Sequence, residues 1–376
     1  MRAVLRDVDR RRLLLAGFLG FFALGAIQSM YGPAFPSLVR RFDVGLDLVG
    51  QTVALHFAGS FVTIAIAGPL LVTVGYRWPL LLGSAGMAAG AAVVAWAPSW
   101  PWVLVGAGLG GLGFGLVDVA LNLLVARSFA PNAAPALNLL NAMFGVGAVA
   151  GPAAVAVAGG TLRWPMIGVA VIAAGVAILS ARLTEPGRPA PSAAAGVPWL
   201  AAGGFVIMYF LYVTGEVGVG SWETVHLAPL LGERAAALNA SAYWAALTIG
   251  RLLATPLSAR VRPATMVLGA TSLAFVALLA THHDPLAPFA YPLVGLAFAP
   301  IFPTGLAWLQ RVFPRRGETI ASAVLAAATL GPVATSGAIG WVVERGGPDW
   351  IPTLMAGTVG LLWLVVVALW RSTRRA

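Results

Sequence analysis

Long apolar runs dominate this chain and leave few folds open to it. Twelve stretches of mostly apolar residues follow one another, separated by arginines, Pro-Gly clusters and short polar runs. A membrane-spanning helix needs about 20 such residues. The runs are continuous and lack the period-two alternation of barrel strands, so they predict an all-α membrane protein. The predicted spans are 13–38, 47–73, 78–97, 101–127, 137–159, 164–182, 198–221, 236–258, 264–281, 286–310, 318–342 and 350–370.

Composition supports lipid as the main solvent of this protein. Of the 376 residues, 59% are hydrophobic and 10% are charged, whereas soluble domains carry about 25% charged residues. The chain has no cysteine, which excludes disulfides, thiol catalysis and cysteine metal sites. The basic start and the apolar run after it resemble a signal peptide. The run is too long and lacks a cleavage pattern, so we expect a retained first helix.

The arginines predict how the spans are oriented. All 23 basic residues are arginines, and cytoplasmic loops attract positive charge. Placing the N-terminus inside puts most of them on the inner side, with at least one in every inner loop. We therefore expect both termini to be cytoplasmic, in the plasma (inner) membrane. The outer loops then carry only Arg40, Arg41, Arg163, Arg234 and Arg345.

The chain also reads as two related halves. The stretch from His56 aligns with the stretch from Tyr243 at an offset of 187 residues, which pairs Pro69 with Pro256. A Pro-, Ala- and Gly-rich segment separates the sixth and seventh spans and has the composition of a linker. We predict a six-helix bundle over 1–183, a cytoplasmic linker over 184–197 and a second six-helix bundle over 198–376, arranged as parallel pseudo-repeats.

The turn after the second span carries a recognisable frame. Gly68-Pro69-Leu70 and Gly75-Tyr76-Arg77 match the pattern G-x-L-x-D-R-x-G-R, although Val72 replaces its aspartate. Through this frame the chain resembles the major facilitator superfamily over essentially its whole length. The resemblance implies alternating access between two bundles. The gating ion pairs usually assigned to the missing aspartate are not implied.

Four further motifs narrow the resemblance. GFGLVDVALNLLV, ALNLLNAMFGVGAVAGP, TGEVGVGSW and SAYWAALTIGRLLATPLSAR occur in that order, and together they are similar to the fucose–galactose–glucose proton symporter branch. That branch implies proton-coupled transport of a sugar-like solute. Its best-known sugar symporters carry an acidic residue in the first helix, where this chain has only Gln28 and Tyr31. A scheme that uses a first-helix carboxylate is therefore not implied.

Two carboxylates fall well inside predicted spans, away from the span ends: Asp118 and Glu216. A charge at the bilayer centre costs roughly 2.5–3.5 kcal/mol on insertion scales. Burial of a carboxyl group favours its neutral form and brings proton exchange toward neutral pH, so we predict that both residues couple to protons. The structural alternatives are an Asp118 held charged by Arg251, and a Glu216 that caps neighbours near the outer end of its helix.

Two other polar residues in spans are candidate partners. Arg251 could bind an anionic solute or pair with Asp118, or it could extend to the cytoplasmic interface. His56 could relay protons, although a single histidine on an apolar helix is also a common hydrogen-bonded core residue.

Amides and aromatic rings supply the candidate solute contacts. Sugars are held by aromatic faces together with polar side chains. The structural alternatives are interhelical amide bonds, interfacial aromatic belts and, for Gln310, contact with water. Pro300 and Pro303 should kink the tenth span. The predicted solute-binding residues are Gln28, Tyr31, Asn122, Asn141, Trp222, Tyr243, Trp308 and Gln310.

Competing functions remain open at this point. The run from Gly145 to Pro152 is also close to a fifth-helix motif of proton-driven exporters, which would take lipophilic drugs or metabolites. A non-transporting membrane sensor is a third reading. No H-E-x-x-H, G-x-S-x-G or cysteine indicates an enzyme. We expect a monomer that binds a small solute and protons, with no cofactor, metal ion or nucleic acid.

Overall fold

The computed structural model describes residues 7–183, 199–258, 260–314 and 317–373, and these ranges contain helices and no strands. The helices are α1 (Asp7–Met30), α2 (Phe35–Phe42), α3 (Leu46–Val74), α4 (Arg77–Ala95), α5 (Trp100–Ser128), α6 (Ala134–Val157), α7 (Arg163–Ala181), α8 (Trp199–Leu231), α9 (Glu233–Ser258), α10 (Pro263–Ala280), α11 (Ala287–Phe298), α12 (Ile301–Val312), α13 (Gly317–Gly346) and α14 (Trp350–Thr373).

These helices confirm the all-α membrane fold. Within the described ranges, eleven spans are long and apolar enough to cross a membrane, with α11 and α12 counted as one. The remaining predicted span corresponds to α9, which carries Glu233, Arg234 and Arg251 and is therefore less apolar than the others. Its 26 residues are still long enough to cross a bilayer. The protein is a multi-pass membrane protein.

The first predicted span is too long at its C-terminal end. α1 ends at Met30, and a short 3-10 turn over Gly32–Ala34 leads into the separate helix α2. Pro33 and Pro36 lie in the first turns of these two elements. Proline lacks an N–H and interrupts a helix that it would otherwise continue. The apolar composition of residues 31–38 therefore concealed an interruption of the helix.

The chain divides into two compact units. The first comprises 1–44 and 51–192, and the second comprises 45–50 and 193–376. The predicted linker, 184–197, lies outside the described residues. In the first unit α4 packs on α5 and α7, while α1 packs on α6 and α7.

Glycines on α5 allow two neighbouring helices to approach closely. A Cβ at Gly106 or Gly113 would collide with α4, and one at Gly111 or Gly115 would collide with the backbone of α3 at His56 and Ser60. Small residues at helix interfaces permit this close approach in membrane proteins. The Gly-rich sequence of α5 thus places His56 directly against that helix.

The motif that resembles proton-driven exporters forms a packing surface. Gly147 and Gly151 of α6 lie against the backbone of α1 at Phe22 and Ala26, where a Cβ would collide. The motif therefore serves the α1–α6 contact, and that role fits symport and antiport equally.

The second unit is built around α8, which packs on α9, α13 and α14. α8 continues to Leu231, ten residues beyond the predicted end at 221. Gly232, with φ +82°, supplies the left-handed residue that follows a helix end. Glu216 consequently lies near the middle of α8, which corrects the alternative that placed it near an outer end.

The predicted kink in the tenth span is confirmed. The span divides into α11, which ends at Phe298, and α12, which begins at Ile301. Pro300 lies between the two helices. Its missing N–H and its ring prevent a continuous hydrogen-bond ladder at this point.

Candidate functional site

In the first unit, Asp118 and Asn122 form a hydrogen-bonded pair on α5. Asn122 Nδ2 donates to Asp118 Oδ1 over 2.9 Å, and both side chains are half-buried. Their four-residue spacing brings them together on one helix face. Within the described part of this unit, no arginine forms an ion pair with Asp118. The carboxylate is therefore held by one neutral amide donor.

His56 of α3 lies in an aromatic cluster with Phe114, which is one turn before Asp118 on α5. Its ring centroid is 5.2 Å from that of Phe114 and 5.6 Å from that of Tyr31. The His56 side chain is 1% exposed, and the Ala107 backbone lies near it. Among the described residues, neither ring nitrogen of His56 nor the Tyr31 hydroxyl has a hydrogen-bond partner of normal geometry. Buried polar groups of this kind are candidates to bind water, a proton or a polar solute.

In the second unit, Glu216 and Arg251 form an ion pair between α8 and α9. Arg251 Nη2 lies 3.6 Å from Glu216 Oε1, with side chains 29% and 10% exposed respectively. The distance exceeds the 2.7–2.9 Å range that is typical of a charge-assisted hydrogen bond, so the pair is loose. The Tyr243 hydroxyl donates to the Glu216 carbonyl oxygen over 2.9 Å. Arg251 therefore partly neutralises Glu216.

Aromatic side chains surround this ion pair toward the break between α11 and α12. The buried Tyr212 hydroxyl is close enough to interact with both Glu216 and Arg251. The Tyr212 ring is 5.8 Å from Phe298, at the end of α11. The Tyr209 hydroxyl donates to the Phe302 carbonyl over 2.6 Å. The backbone break thus presents a carbonyl that an aromatic hydroxyl satisfies.

Trp308 lies apart from the ion pair. Its indole nitrogen donates to Thr373 Oγ1 of α14 over 3.1 Å, and its ring packs edge-on against Phe205 of α8 at 5.2 Å. These contacts link α8, α12 and α14. They also occupy the indole N–H of Trp308, which is the group that would bind a polar solute. In this structure Trp308 therefore has the contacts of a packing residue.

The other predicted solute contacts are dispersed. Gln310 is exposed at the end of α12, and Gln28 is half-buried on α1. Asn141 is exposed, and its amide donates to the Leu137 carbonyl of its own helix over 2.9 Å. Trp222 is fully buried on α8. The predicted residues that the structure brings together are Asp118 with Asn122, Tyr31 with His56, and Glu216 with Arg251 and Tyr243.

Sequence reasoning missed a second acidic residue on α8. Glu223 is 0% exposed, and neither carboxyl oxygen has a hydrogen-bond partner among the described residues. One turn further along α8, buried His226 Nδ1 lies 2.8 Å from the Tyr291 hydroxyl. The predicted end of the seventh span at 221 placed Glu223 and His226 in a loop. The seven-residue spacing from Glu216 to Glu223, two helical turns, could have indicated a shared face.

No group of three or more metal-binding side chains occurs among the described residues. His282 instead has its Nε2 3.1 Å from Thr353 Oγ1. His282 and His283 are both exposed beside α10.

Known proteins similar to this chain share both its sequence pattern and its fold. The glucose/mannose transporter GlcP of Bacillus subtilis (strain 168) is 23% identical over 357 residues, which cover 89% of each protein. The crystal structure of the D-xylose-proton symporter superposes with a TM-score of 0.79 at 16% identity, covering 95% of this chain and 97% of that one. The nucleoside transporter NupG superposes with a TM-score of 0.77 at 12% identity, covering 97% and 99%.

A family comparison covers nearly the whole length. The sequence model of the Major Facilitator Superfamily matches residues 17–222 and 200–376. Together with the membrane-spanning helices and the two compact units, this match shows that the chain belongs to the Major Facilitator Superfamily.

Proposed function

We propose that this protein is a proton-coupled secondary transporter of a small, polar, sugar-like solute. The observation that carries the proposal is the environment of Asp118. A carboxyl group inside a membrane-spanning helix is costly, and it is generally kept for an ion, proton or substrate pathway. Asp118 has one amide partner, Asn122, and no ion pair within the described part of its unit. Binding one proton there removes a charge from α5 without breaking a salt bridge.

The polar solute class is supported by the chemistry of both units. The first unit offers the Asn122 amide, together with the Tyr31 hydroxyl and the His56 ring, which have no hydrogen-bond partner of normal geometry among the described residues. The second offers the Glu216–Arg251 pair beside Tyr243. Hydroxyl-rich solutes are recognised by such amides, carboxylates and aromatic faces. The relatives point the same way, since one is named a glucose/mannose transporter and one neighbour a D-xylose-proton symporter.

The mechanism is alternating access. A solute and a proton bind from one side, the protein changes conformation, and both leave on the other side. Protonation of Asp118, with or without Glu216, biases which conformation is populated, because a ligand shifts an equilibrium by its differential affinity for the two states. The protein acts as a monomer in the inner membrane, with both termini in the cytoplasm, and it catalyses no covalent reaction.

Solute-evoked pH change in proteoliposomes tests this function. Asp118→Asn should abolish the pH change while solute binding persists, because the amide keeps the shape of the side chain and cannot release a proton. Asp43→Asn is the matched control. Asp43 is exposed and has φ +51°, a conformation that asparagine tolerates.

The outcomes separate the competing functions. A sugar response that is lost only in Asp118→Asn supports the proposal. An unchanged response in that variant would remove Asp118 from the coupling mechanism. Proton release on addition of lipophilic compounds, with no sugar response, would indicate an exporter. No movement of any solute by folded protein would indicate a sensor.

A further inference from the structure

Glu223 is a second acidic side chain on α8, and it takes no part in the Glu216–Arg251 ion pair. It lies two turns from Glu216 on α8 and has no exposed surface. Arg251 is committed to Glu216. Among the described residues, no donor reaches either Glu223 oxygen. The two carboxyl groups of α8 therefore lie in different environments. Glu216 is beside a cation, whereas Glu223 has no ion pair among the described residues.

The neighbours of Glu223 are polar but uncharged. Glu223 lies within electrostatic range of the buried hydroxyls of Tyr243 on α9 and Tyr291 on α11. Tyr291 is in turn hydrogen-bonded to His226, which lies one turn beyond Glu223 on α8. These four buried side chains lie near one another inside the second unit.

The remaining helices packed on α8 are α12, α13 and α14, and their described titratable side chains lie near the helix ends. On α12 this is Arg311, exposed in the last turn, while on α9 Glu233 and the exposed Arg234 lie in the first turn. In the described part of α13 these side chains are Glu344 and Arg345, both exposed near its end. In α14 the titratable side chain is Arg371, in the last turn. No cation in the described parts of α12, α13 and α14 is thus placed to hold Glu223 in its charged form.

His226 connects this cluster to the end of α8. Asp284 and Asp349, in the segments before α11 and α14, lie within electrostatic range of His226, as does His282. Leu230 and Leu231, which follow it at the end of α8, are both 41% exposed. A proton at this end of the helix therefore meets His226 before it meets Glu223.

An unpaired carboxylate in such a site is strongly disfavoured, because burial removes its hydration and nothing replaces it. The neutral acid needs no counter-ion. When the surroundings of two carboxyl groups differ in this way, one group stays charged and the other exchanges protons. Arg251 identifies Glu216 as the group that stays charged.

We propose that Glu223 is a second proton-binding site of the transport cycle, loaded from the end of α8 at which His226 lies. The Glu223 carboxylate takes one proton from water to become the neutral acid, and it returns that proton to water when the site opens. This inference rests on the proposed proton-coupled function and assigns the proton site of α8 to Glu223 in place of Glu216.

Infrared difference spectroscopy of the purified protein tests the site without any solute. The carbonyl-stretch band of protonated carboxyl groups is followed as pH changes in wild type, Glu223→Gln, Glu216→Gln and Glu233→Gln. Glutamine keeps the length of the side chain and is neutral, like the form that the fold accommodates. Glu233 is a partly exposed glutamate at the start of α9, so its substitution is a control for the chemical change.

The expected result is loss of a pH-dependent band in Glu223→Gln alone, and its retention in Glu223→Asp, which keeps the carboxyl group. Three results would overturn the proposal: a spectrum unchanged by Glu223→Gln, a Glu223 band that does not vary with pH, or loss of the pH-dependent band in Glu216→Gln instead.

A transport measurement separates this site from the proposed function. In vesicles with an imposed pH gradient, glucose accumulation should be lost in Glu223→Gln and kept in Glu233→Gln. If wild type moves no sugar while the infrared band still depends on Glu223, the solute assignment fails and the proton site stands. If wild type accumulates sugar and Glu223→Gln accumulates it equally, the function stands and the proton site is wrong.

Discussion

Arg251 Nη2 lies 3.6 Å from Glu216 Oε1, so the arginine of α9 pairs with the acid of α8 inside a single unit of the protein. This pairing was not among the alternatives that the sequence offered for Arg251, which were an anionic solute, Asp118 and the cytoplasmic interface. Arg251 neither extends to the interface nor stays unpaired, and Glu216 is a partly neutralised carboxylate. Among the carboxyl groups in the middle turns of the described spans, Asp118 and Glu223 then have no ion pair within their own units.

Removing one member of the ion pair should cost more than removing both. Arg251→Gln leaves Glu216 without its cation, and we expect a loss of about 1–3 kcal/mol in unfolding free energy, below the cost of a fully buried pair because Arg251 is partly exposed. The double variant with Glu216→Gln should recover most of that loss. Unfolding in detergent, analysed as a double-mutant cycle, measures the coupling. Additive losses would show that the pair contributes nothing.

Asn122→Ala should weaken solute binding and proton coupling together. The Asn122 amide is the donor to Asp118 Oδ1, and loss of a hydrogen bond to a charged group costs roughly 1.5–3 kcal/mol. Asn122 is also a predicted solute contact, and losing one hydrogen bond to the solute, worth about 1 kcal/mol, should lower solute affinity roughly five- to tenfold with the fold intact. Calorimetric titration of the purified variant is the measurement. Exposed Asn138 of α6 offers the control, Asn138→Ala, which should bind as wild type does.

Gly147→Ala should destabilise the first unit, whereas Gly168→Ala should not. A Cβ at Gly147 would collide with the Phe22 backbone of α1, while one at Gly168 on α7 meets open space. Overpacking costs typically 1–3 kcal/mol, and alanine in an open helical position gains roughly 0.5–1 kcal/mol over glycine. Melting temperatures of the two variants should therefore move in opposite directions. Equal shifts would contradict the close α1–α6 contact.

Trp308→Phe should lower stability without changing solute affinity. Phenylalanine keeps an aromatic ring against Phe205 and loses the hydrogen bond to Thr373. Losing that bond, and leaving the Thr373 hydroxyl without its donor, costs about 1 kcal/mol. A binding isotherm measured beside a thermal melt distinguishes the two effects. A marked loss of affinity at unchanged stability would restore Trp308 as a solute contact.

Several features of this protein follow from residues that are close together in the sequence. Hydropathy alone predicted the apolar spans, since a segment that crosses lipid must be apolar over its own length. The four-residue spacing predicted the Asp118–Asn122 contact, because helical geometry places those side chains on one face. Pro300 predicted the break between α11 and α12 because proline cannot donate the hydrogen bond that continuity requires.

Only the tertiary structure decided which distant groups meet. Arg251 lies 35 residues from Glu216 in the sequence, and its choice of partner depends on how α8 and α9 are rotated against each other. Glu223 and His226 looked like loop residues because they are polar, yet packing of α9 and α11 on α8 buries them. The sequence predicted Trp308 as a solute contact, whereas in the structure its indole N–H donates to Thr373 of α14. Local pattern sets where a helix can form, while the contacts of its side chains depend on neighbours that no local pattern specifies.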